Sequence, residues 1–273
     1  MHNIFSKDWE YIPVHQTPHP YHSFAIDDVL QEKVTKDGVP KLRAWVHHPY
    51  VILGLHDARL PYLKDGLKYL DDSGFDYIVR NSGGLGVVLD EGVLNVSLVI
   101  SKEDSPMIDD GYDMMLEMVR CALPESDIEA YEIVHSYCPG SYDLSIGGQK
   151  FAGISQRRIK GGAAVQIYLC VSGSGSERAS IMRDFYHYAK KDSETKFSYP
   201  DIHPSDMASL NTLLNKTWTV EDVLEKMMNV IQGDITMLTD FSEDEQERYE
   251  KSLKNMKKRN ASIRGGIDED LTL

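Results

Sequence analysis

At 273 residues the chain is long enough for one large domain or two small ones and for a sizeable buried core. A composition of 41% hydrophobic, 26% charged and 9% aromatic residues excludes disordered, collagenous and disulfide-scaffold classes. With 43 acidic against 29 basic side chains the formal charge is -14, so neither nucleic acid nor an anionic membrane is expected as a partner. Three cysteines, Cys121, Cys138 and Cys170, make no paired framework, and no closely spaced Cys/His cluster offers a zinc cage. No metal is expected, and the compartment should be reducing. Met1 to Tyr11 lacks the basic start and apolar run of a signal peptide, which points to a cytoplasmic protein.

In chain order, a helix is expected from about Ser23 to Gly38, then short strands over Leu42 to His47 and Val51 to Leu55, divided by the turn signal His48-Pro49. Pro61 to Leu70 reads as a helix and Tyr77 to Arg80 as a strand, followed by the glycine turn Ser82-Gly83-Gly84, a strand to Asp90, and another over Leu94 to Ile100. Ser105 to Leu123 carries a methionine stripe at helical spacing, best read as core packing. Strands are expected over Glu129 to Val134, Tyr142 to Ile146, Phe151 to Ser155 behind the Gly147-Gly148 turn, and Ala163 to Val171. Helices should follow over Arg178 to Lys190, Ser205 to Leu214 and Val220 to Gln232, with Thr219 as N-cap and Gly233 as terminator. The charged segment Glu243 to Arg259 reads as a weakly docked helix and Ala261 to Leu273 as a mobile acidic tail. These elements predict an α/β fold of the α+β type, a mixed and largely antiparallel sheet with flanking helices. The domains expected are a catalytic domain over 1–233 and a C-terminal appendage over 234–273.

Three places can carry chemistry. Ser82, Gly83 and Gly84 behind Arg80 can bring backbone N–H groups and a guanidinium to a ligand, although paired glycines alone are often plain turns and the spacing matches no nucleotide cradle. Cys138 precedes Pro139-Gly140 and should sit on a turn, whereas Cys121 lies on a helical stripe and Cys170 inside an apolar strand. A thiol needs a nearby cation or base to populate its thiolate, and His135 and Lys150 are the cations at hand. Arg157, Arg158 and Lys160 form a basic run on an acidic protein: a solvated hairpin tip, or a spot where an acidic partner docks.

Taken together these residues resemble the biotin/lipoate ligase and octanoyltransferase superfamily. The similarity runs from about Ser23 to Val171 and includes Trp45, Val51-Ile52-Leu53-Gly54, Arg80-Asn81-Ser82-Gly83-Gly84, Asp90, Leu94-Asn95-Val96-Ser97, Tyr142-Asp143-Leu144 and Gly148-Gln149-Lys150-Phe151-Ala152-Gly153. It is closest to the acyltransferases that draw on the glycine cleavage H protein. The resemblance implies a biotin/lipoate ligase-like catalytic domain with Cys138 as acyl-thioester nucleophile. Lys150 would favour its thiolate and orient the acyl carbonyl, while Arg80, Ser82, Gly83, Gly84, Asn95 and Gly153 would bind substrate. It also implies octanoyl transfer from the octanoylated H protein to lipoyl domains of 2-oxoacid dehydrogenase subunits, without cofactor or ATP. Alternatives are octanoyl transfer from acyl carrier protein, ATP-dependent lipoate ligation, which Cys138 argues against, and a non-catalytic lipoyl-domain binder.

Overall fold

The computed structural model describes residues 2–15, 19–261 and 263. Its strands are β1 (Trp9–His15), β2 (Lys41–Trp45), β3 (Tyr50–Leu53), β4 (Asp76–Val79), β5 (Val87–Leu89) and β6 (Val93–Ser101), then β7 (Glu129–Ala130), β8 (Asp143–Ile146), β9 (Gln149–Ile159), β10 (Gly162–Cys170) and β11 (Ile235–Met237). The helices are α1 (Pro20–Asp37), α2 (Leu63–Asp72), α3 (Ile108–Ala122), α4 (Gly175–Lys190), α5 (Leu210–Leu214), α6 (Val220–Met228) and α7 (Glu243–Asn260).

Every residue of β6 is buried, so this strand must be covered on both faces, and it lies inside an eight-stranded sheet of order β11-β1-β2-β6-β10-β9-β8-β7. β1 pairs in parallel with β2 and β11, and the remaining neighbours are antiparallel, as the hairpin signals predict. The methionines of α3 and the apolar stripe of α6 pack with this sheet in one core. A second, three-stranded sheet of order β4-β3-β5 shares another core with α2 and α4. Among the described residues no helix is long and apolar enough to cross a membrane.

Several expectations are corrected. Helix α1 begins at Pro20, earlier than Ser23, because His19 caps it through Nδ1 and a proline at the first helical position loses no hydrogen bond. The strand expected over Glu129 to Val134 shrinks to Glu129–Ala130, since the Asp143 carboxylate captures the Ile133 N–H at 3.1 Å and bends the chain away. The helix expected over Ser205 to Leu214 shortens to Leu210–Leu214: the N–H of Ala208 bonds the Lys150 carbonyl at 3.0 Å, and Met207 to Ser209 run extended between α5 and the 3-10 turn Pro204–Asp206. Helix α6 stops at Met228; Gly233 instead lets the backbone pass Lys7, whose carbonyl oxygen would lie 2.0 Å from an added Cβ.

Strands β1 and β11 were not expected, and β11 brings the chain beyond Gly233 into the main sheet. Helix α7 is not weakly docked. Its few apolar residues hide a polar seam: Ser252 donates to Asp28 at 2.6 Å, Arg248 pairs with Glu32 at 2.7 Å, and the buried Asn260 amide bonds both backbone groups of Val79 at the free edge of β4. Apart from Ala261 and Ile263, the expected tail lies outside the described residues.

Candidate active site

One rung of the main sheet builds the floor of a cavity of about 260 Å³. Trp45 stands opposite Asn95, Asn95 opposite Tyr168, Tyr168 opposite Gly153, and Gly153 opposite Asp143, so a single register line across five strands supplies five lining residues. Phe24, Ile52, Val87, Leu89 and Ile167 make much of the remaining wall apolar. The floor itself is not apolar. Among the described residues the Trp45 Nε1 and the Tyr168 hydroxyl are buried without a hydrogen-bond partner, and the Asn95 amide reaches only long contacts of 3.4 and 3.5 Å. A buried donor left unpaired is costly, so these groups suit a bound polar atom. Burial holds the Tyr168 phenol well above its ordinary range, which keeps it a donor. Gly153 is required beneath that ring, since a Cβ there would lie 2.8 Å from Tyr168 Cε1.

Cys138 sits at this cavity on the loop between β7 and β8, with a left-handed φ of 48° that a non-glycine residue adopts only when its surroundings impose it. Asp143 and Lys150 hold this loop. One of the Asp143 oxygens accepts from the N–H groups of Ile133 at 3.1 Å and Gly140 at 3.2 Å, and the other pairs with Lys150 Nζ at 2.8 Å. The Lys150 ammonium, fully buried, also donates to Ser136 Oγ at 3.1 Å, the Tyr137 carbonyl at 2.9 Å and the Cys138 carbonyl at 3.0 Å. Among the described residues the ammonium makes no hydrogen bond to the Cys138 sulfur. Every bond it makes is to oxygen, because a desolvated ammonium is drawn to the carboxylate and the carbonyls that neutralise it.

The groups that do face the sulfur come from the opposite loop. The Leu85 N–H points at Cys138 Sγ at 3.2 Å and the Arg80 Nη2 at 3.6 Å, while the same Nη2 holds the Leu85 carbonyl at 2.9 Å. Gly84 makes this approach possible. Its φ is +91°, and a Cβ there would stand 2.2 Å from Arg80 Nη2 and 3.1 Å from the sulfur. A thiolate at this point would meet a backbone dipole and a full positive charge.

Of the expected substrate-binding residues, Arg80, Gly83, Gly84, Asn95 and Gly153 line the cavity with Cys138. Ser82 does not; it is buried, and its hydroxyl has no hydrogen-bond partner among the described residues. Cys121 is exposed, and Cys170 is buried with Tyr137 Oη at 4.0 Å from its sulfur. The basic run is split by strand alternation. Arg157 pairs with Asp28 of α1 at 2.5 Å, Arg158 bonds Ser105 and Met107 before α3, and Lys160 pairs with Glu32 at 2.6 Å. Adjacent residues of a strand point to opposite faces, so Arg157 and Arg158 cannot share one patch.

The sequence reading missed Tyr168 and Leu85 at the site, and gave no separate weight to Trp45 or Asp143. The first two leave no local signal, since one lies in an apolar strand and the other contributes only its backbone. His135, Asp201 and His203 also converge, with ligand atoms all within 4.8 Å of one another. They are the one such group found among the described residues, and long-range folding rather than sequence spacing assembles them.

A model of the lipoyl protein ligase A/B catalytic domain matches residues 19–232, and the chain belongs to this family. The likeness to individual members is closer still. The chain is 51% identical over 262 residues to the octanoyl-[GcvH]:protein N-octanoyltransferase of Staphylococcus aureus, covering 94% of each chain. It is 55% identical over 228 residues to the protein of that name from Macrococcus caseolyticus, covering 83% of each. Among solved structures, lipoate-protein ligase A bound with ATP shares the fold at a TM-score of 0.70 and 18% identity, over 96% of this chain and 100% of the other. A bi-partite lipoate protein ligase from Thermoplasma acidophilum, studied with its E2 lipoyl domain, does so at 0.67 and 19%, over 97% and 99%. The expected fold class is thereby established.

Proposed function

We propose that the chain moves an octanoyl group from the lysine of octanoylated glycine cleavage H protein to the lipoyl-domain lysine of 2-oxoacid dehydrogenase subunits, through a thioester on Cys138. The observation that carries this reading is the convergence of the Leu85 N–H and the Arg80 guanidinium on the Cys138 sulfur at the cavity. The names of close relatives give the reaction class, protein N-octanoyl transfer from GcvH. Three free thiols suit work in a reducing cytoplasm.

In the first half-reaction the Cys138 thiolate attacks the carbonyl carbon of the donor amide, the C–N bond breaks, and the donor lysine departs as an amine after taking up a proton. In the second, the acceptor amine attacks the thioester carbonyl, the C–S bond breaks, and the proton lost by that nitrogen balances the one taken earlier. Arg80 and the Leu85 N–H stabilise the sulfur whenever it is anionic, and the Tyr168 hydroxyl donates to the acyl oxygen. Because a lysine amide is exchanged for a lysine amide, the overall step is close to thermoneutral and needs no ATP. Lys150 contributes through the loop, by holding the Cys138 carbonyl.

The test offers the purified chain an apo lipoyl domain with octanoyl-H protein, octanoyl-acyl carrier protein, or octanoate plus ATP. Octanoyl-H protein should support transfer, and mass spectrometry should find a hydroxylamine-labile octanoyl group on the Cys138 peptide. Cys138→Ala should lose at least about 10³-fold in kcat while keeping its melting temperature, as expected when a nucleophile is removed from an otherwise intact site. Transfer from octanoate and ATP by the Cys138→Ala protein would overturn the thioester route.

A further inference from the structure

The loop that brings the Leu85 N–H to the sulfur is itself held from behind by two buried groups that take no part in the contacts described above. Asp57 opens the short turn Asp57–Arg59 after β3, and its carboxylate is fully buried. One oxygen accepts the Gly54 N–H at 2.7 Å, and the other accepts the hydroxyl of Tyr186, from α4, at 3.0 Å. The Tyr186 oxygen in turn accepts the Gly86 N–H at 3.2 Å. Gly86 is the residue after Leu85. Gly54 lies equally close to the other side of the loop, since a Cβ on it would stand 1.9 Å from the Gly84 carbonyl oxygen. The chain Gly54, Asp57, Tyr186, Gly86 therefore brackets Leu85 on both sides. From this bracketing we infer that Asp57 and Tyr186 are positioning residues that set the Leu85 N–H against the Cys138 sulfur.

The cost of the arrangement supports this assignment. Burial pushes the Asp57 carboxyl up to about 6, despite the Gly54 and Tyr186 hydrogen bonds and the charge of Arg80. A carboxylate kept ionised at neutral pH against its own desolvation weakens the fold, and groups retained under such conditions cluster at functional sites. The titratable and charged groups that face it are Tyr186, Tyr199 and Arg80. Both tyrosines are held above their ordinary range mainly by burial, with Tyr199 pushed up to about 12, so Asp57 is the group here that changes charge near neutrality.

The inference rests on Cys138 being the reacting group, but it can be read without acyl transfer. Asp57→Asn, Tyr186→Phe and the double variant would be compared with the parent for the rate at which iodoacetamide alkylates Cys138 at pH 7, for kcat and KM with octanoyl-H protein, and for melting temperature at pH 5 to 8. A donor displaced by a fraction of an ångström costs on the order of tenfold or more in rate. Each single variant should therefore alkylate and turn over about tenfold more slowly with KM little changed, and the double should lose less than the product of the singles because both hold Gly86. The Asp57→Asn protein should melt no lower than the parent at pH 7, where the desolvated carboxylate weakens the fold, so slower alkylation could not come from a loosened fold. Parent-like alkylation in Asp57→Asn or Tyr186→Phe would overturn the inference, as would losses that multiply in the double variant. If the variants slow alkylation but the parent carries no octanoyl group on Cys138, the transfer reading fails and the positioning role stands.

Discussion

Two loops meet at the Cys138 sulfur, and they are held by opposite means. The loop that carries the sulfur, between β7 and β8, is fixed by a buried ion pair, Asp143 with Lys150, both side chains almost entirely out of water. The loop that carries the donors, from Arg80 to Gly86, is fixed by a guanidinium, a phenol and a carboxylate whose titration is moved up to about 6. The first loop pins a strained backbone, while the second aims dipoles at an atom. Loss of the pin should therefore appear as instability, and loss of the aim as slow chemistry with a sound fold.

The largest expected effect tests the pin. Lys150→Ala leaves the Asp143 carboxylate buried without its counter-ion, which typically costs about 3–5 kcal/mol. Thermal unfolding should show a corresponding drop in melting temperature. Asp143→Asn added to Lys150→Ala should recover part of it, because the uncompensated charge is gone. A Lys150→Ala protein that melts like the parent but alkylates Cys138 more slowly would reverse the assignment and make Lys150 a residue that favours the thiolate. Lys150→Arg should not restore the parent, since a planar fork cannot fill a site shaped for a compact ammonium bonded to one carboxylate, one hydroxyl and two carbonyls.

The next effect tests the aim. Gly84→Ala places a methyl group 2.2 Å from Arg80 Nη2, at a φ of +91° that L-residues rarely adopt. Arg80 must swing from the sulfur, and the backbone strain adds about 1–2 kcal/mol. We expect Cys138 alkylation at pH 7 and octanoyl transfer to fall together by about ten- to a hundredfold, following the loss of a charged donor at an anionic centre. Stability should fall far less than in Lys150→Ala. Equal losses of stability in the two variants would erase the distinction between the loops.

How much of this was legible in the sequence follows from the same distinction. Residues named by local chemistry were legible: a cysteine before Pro-Gly, paired glycines behind an arginine, a lysine after a Gly-Gly turn. The helix and strand order was legible too, from periodicity and turn residues. What Lys150 touches was not, because its partners on the Cys138 loop come from positions 136 to 143 and are chosen by desolvation, not by spacing. Nor was the rung from Trp45 to Asp143, since register across five strands is set by tertiary pairing. The docking of α7 escaped for a related reason. Its seam is made of serine and arginine contacts to α1 and an asparagine contact to β4, and hydrophobic patterning is blind to such a face.

The smallest expected effect concerns a third region, the tip of the β9–β10 hairpin, which carries neither pin nor aim. The basic run there was a candidate dock for an acidic carrier, but Arg157 and Arg158 are committed to opposite faces of the sheet by their bonds to Asp28 and to Ser105. Lys160 remains, 68% exposed and paired with Glu32. A single exposed charge of this kind is worth about 0 to 1 kcal/mol. Lys160→Glu should therefore lower kcat/KM with octanoyl-H protein by no more than about fivefold at low ionic strength, as that energy implies. The deficit should vanish as salt shortens the screening length, with Cys138 alkylation and melting temperature unchanged. Arg157→Glu should behave differently: it reverses one half of an ion pair that joins β9 to α1, so it should lower the melting temperature, and added salt should not restore it. A large, salt-sensitive loss in Lys160→Glu would make the hairpin a docking surface after all, one that works through a single charge instead of a patch.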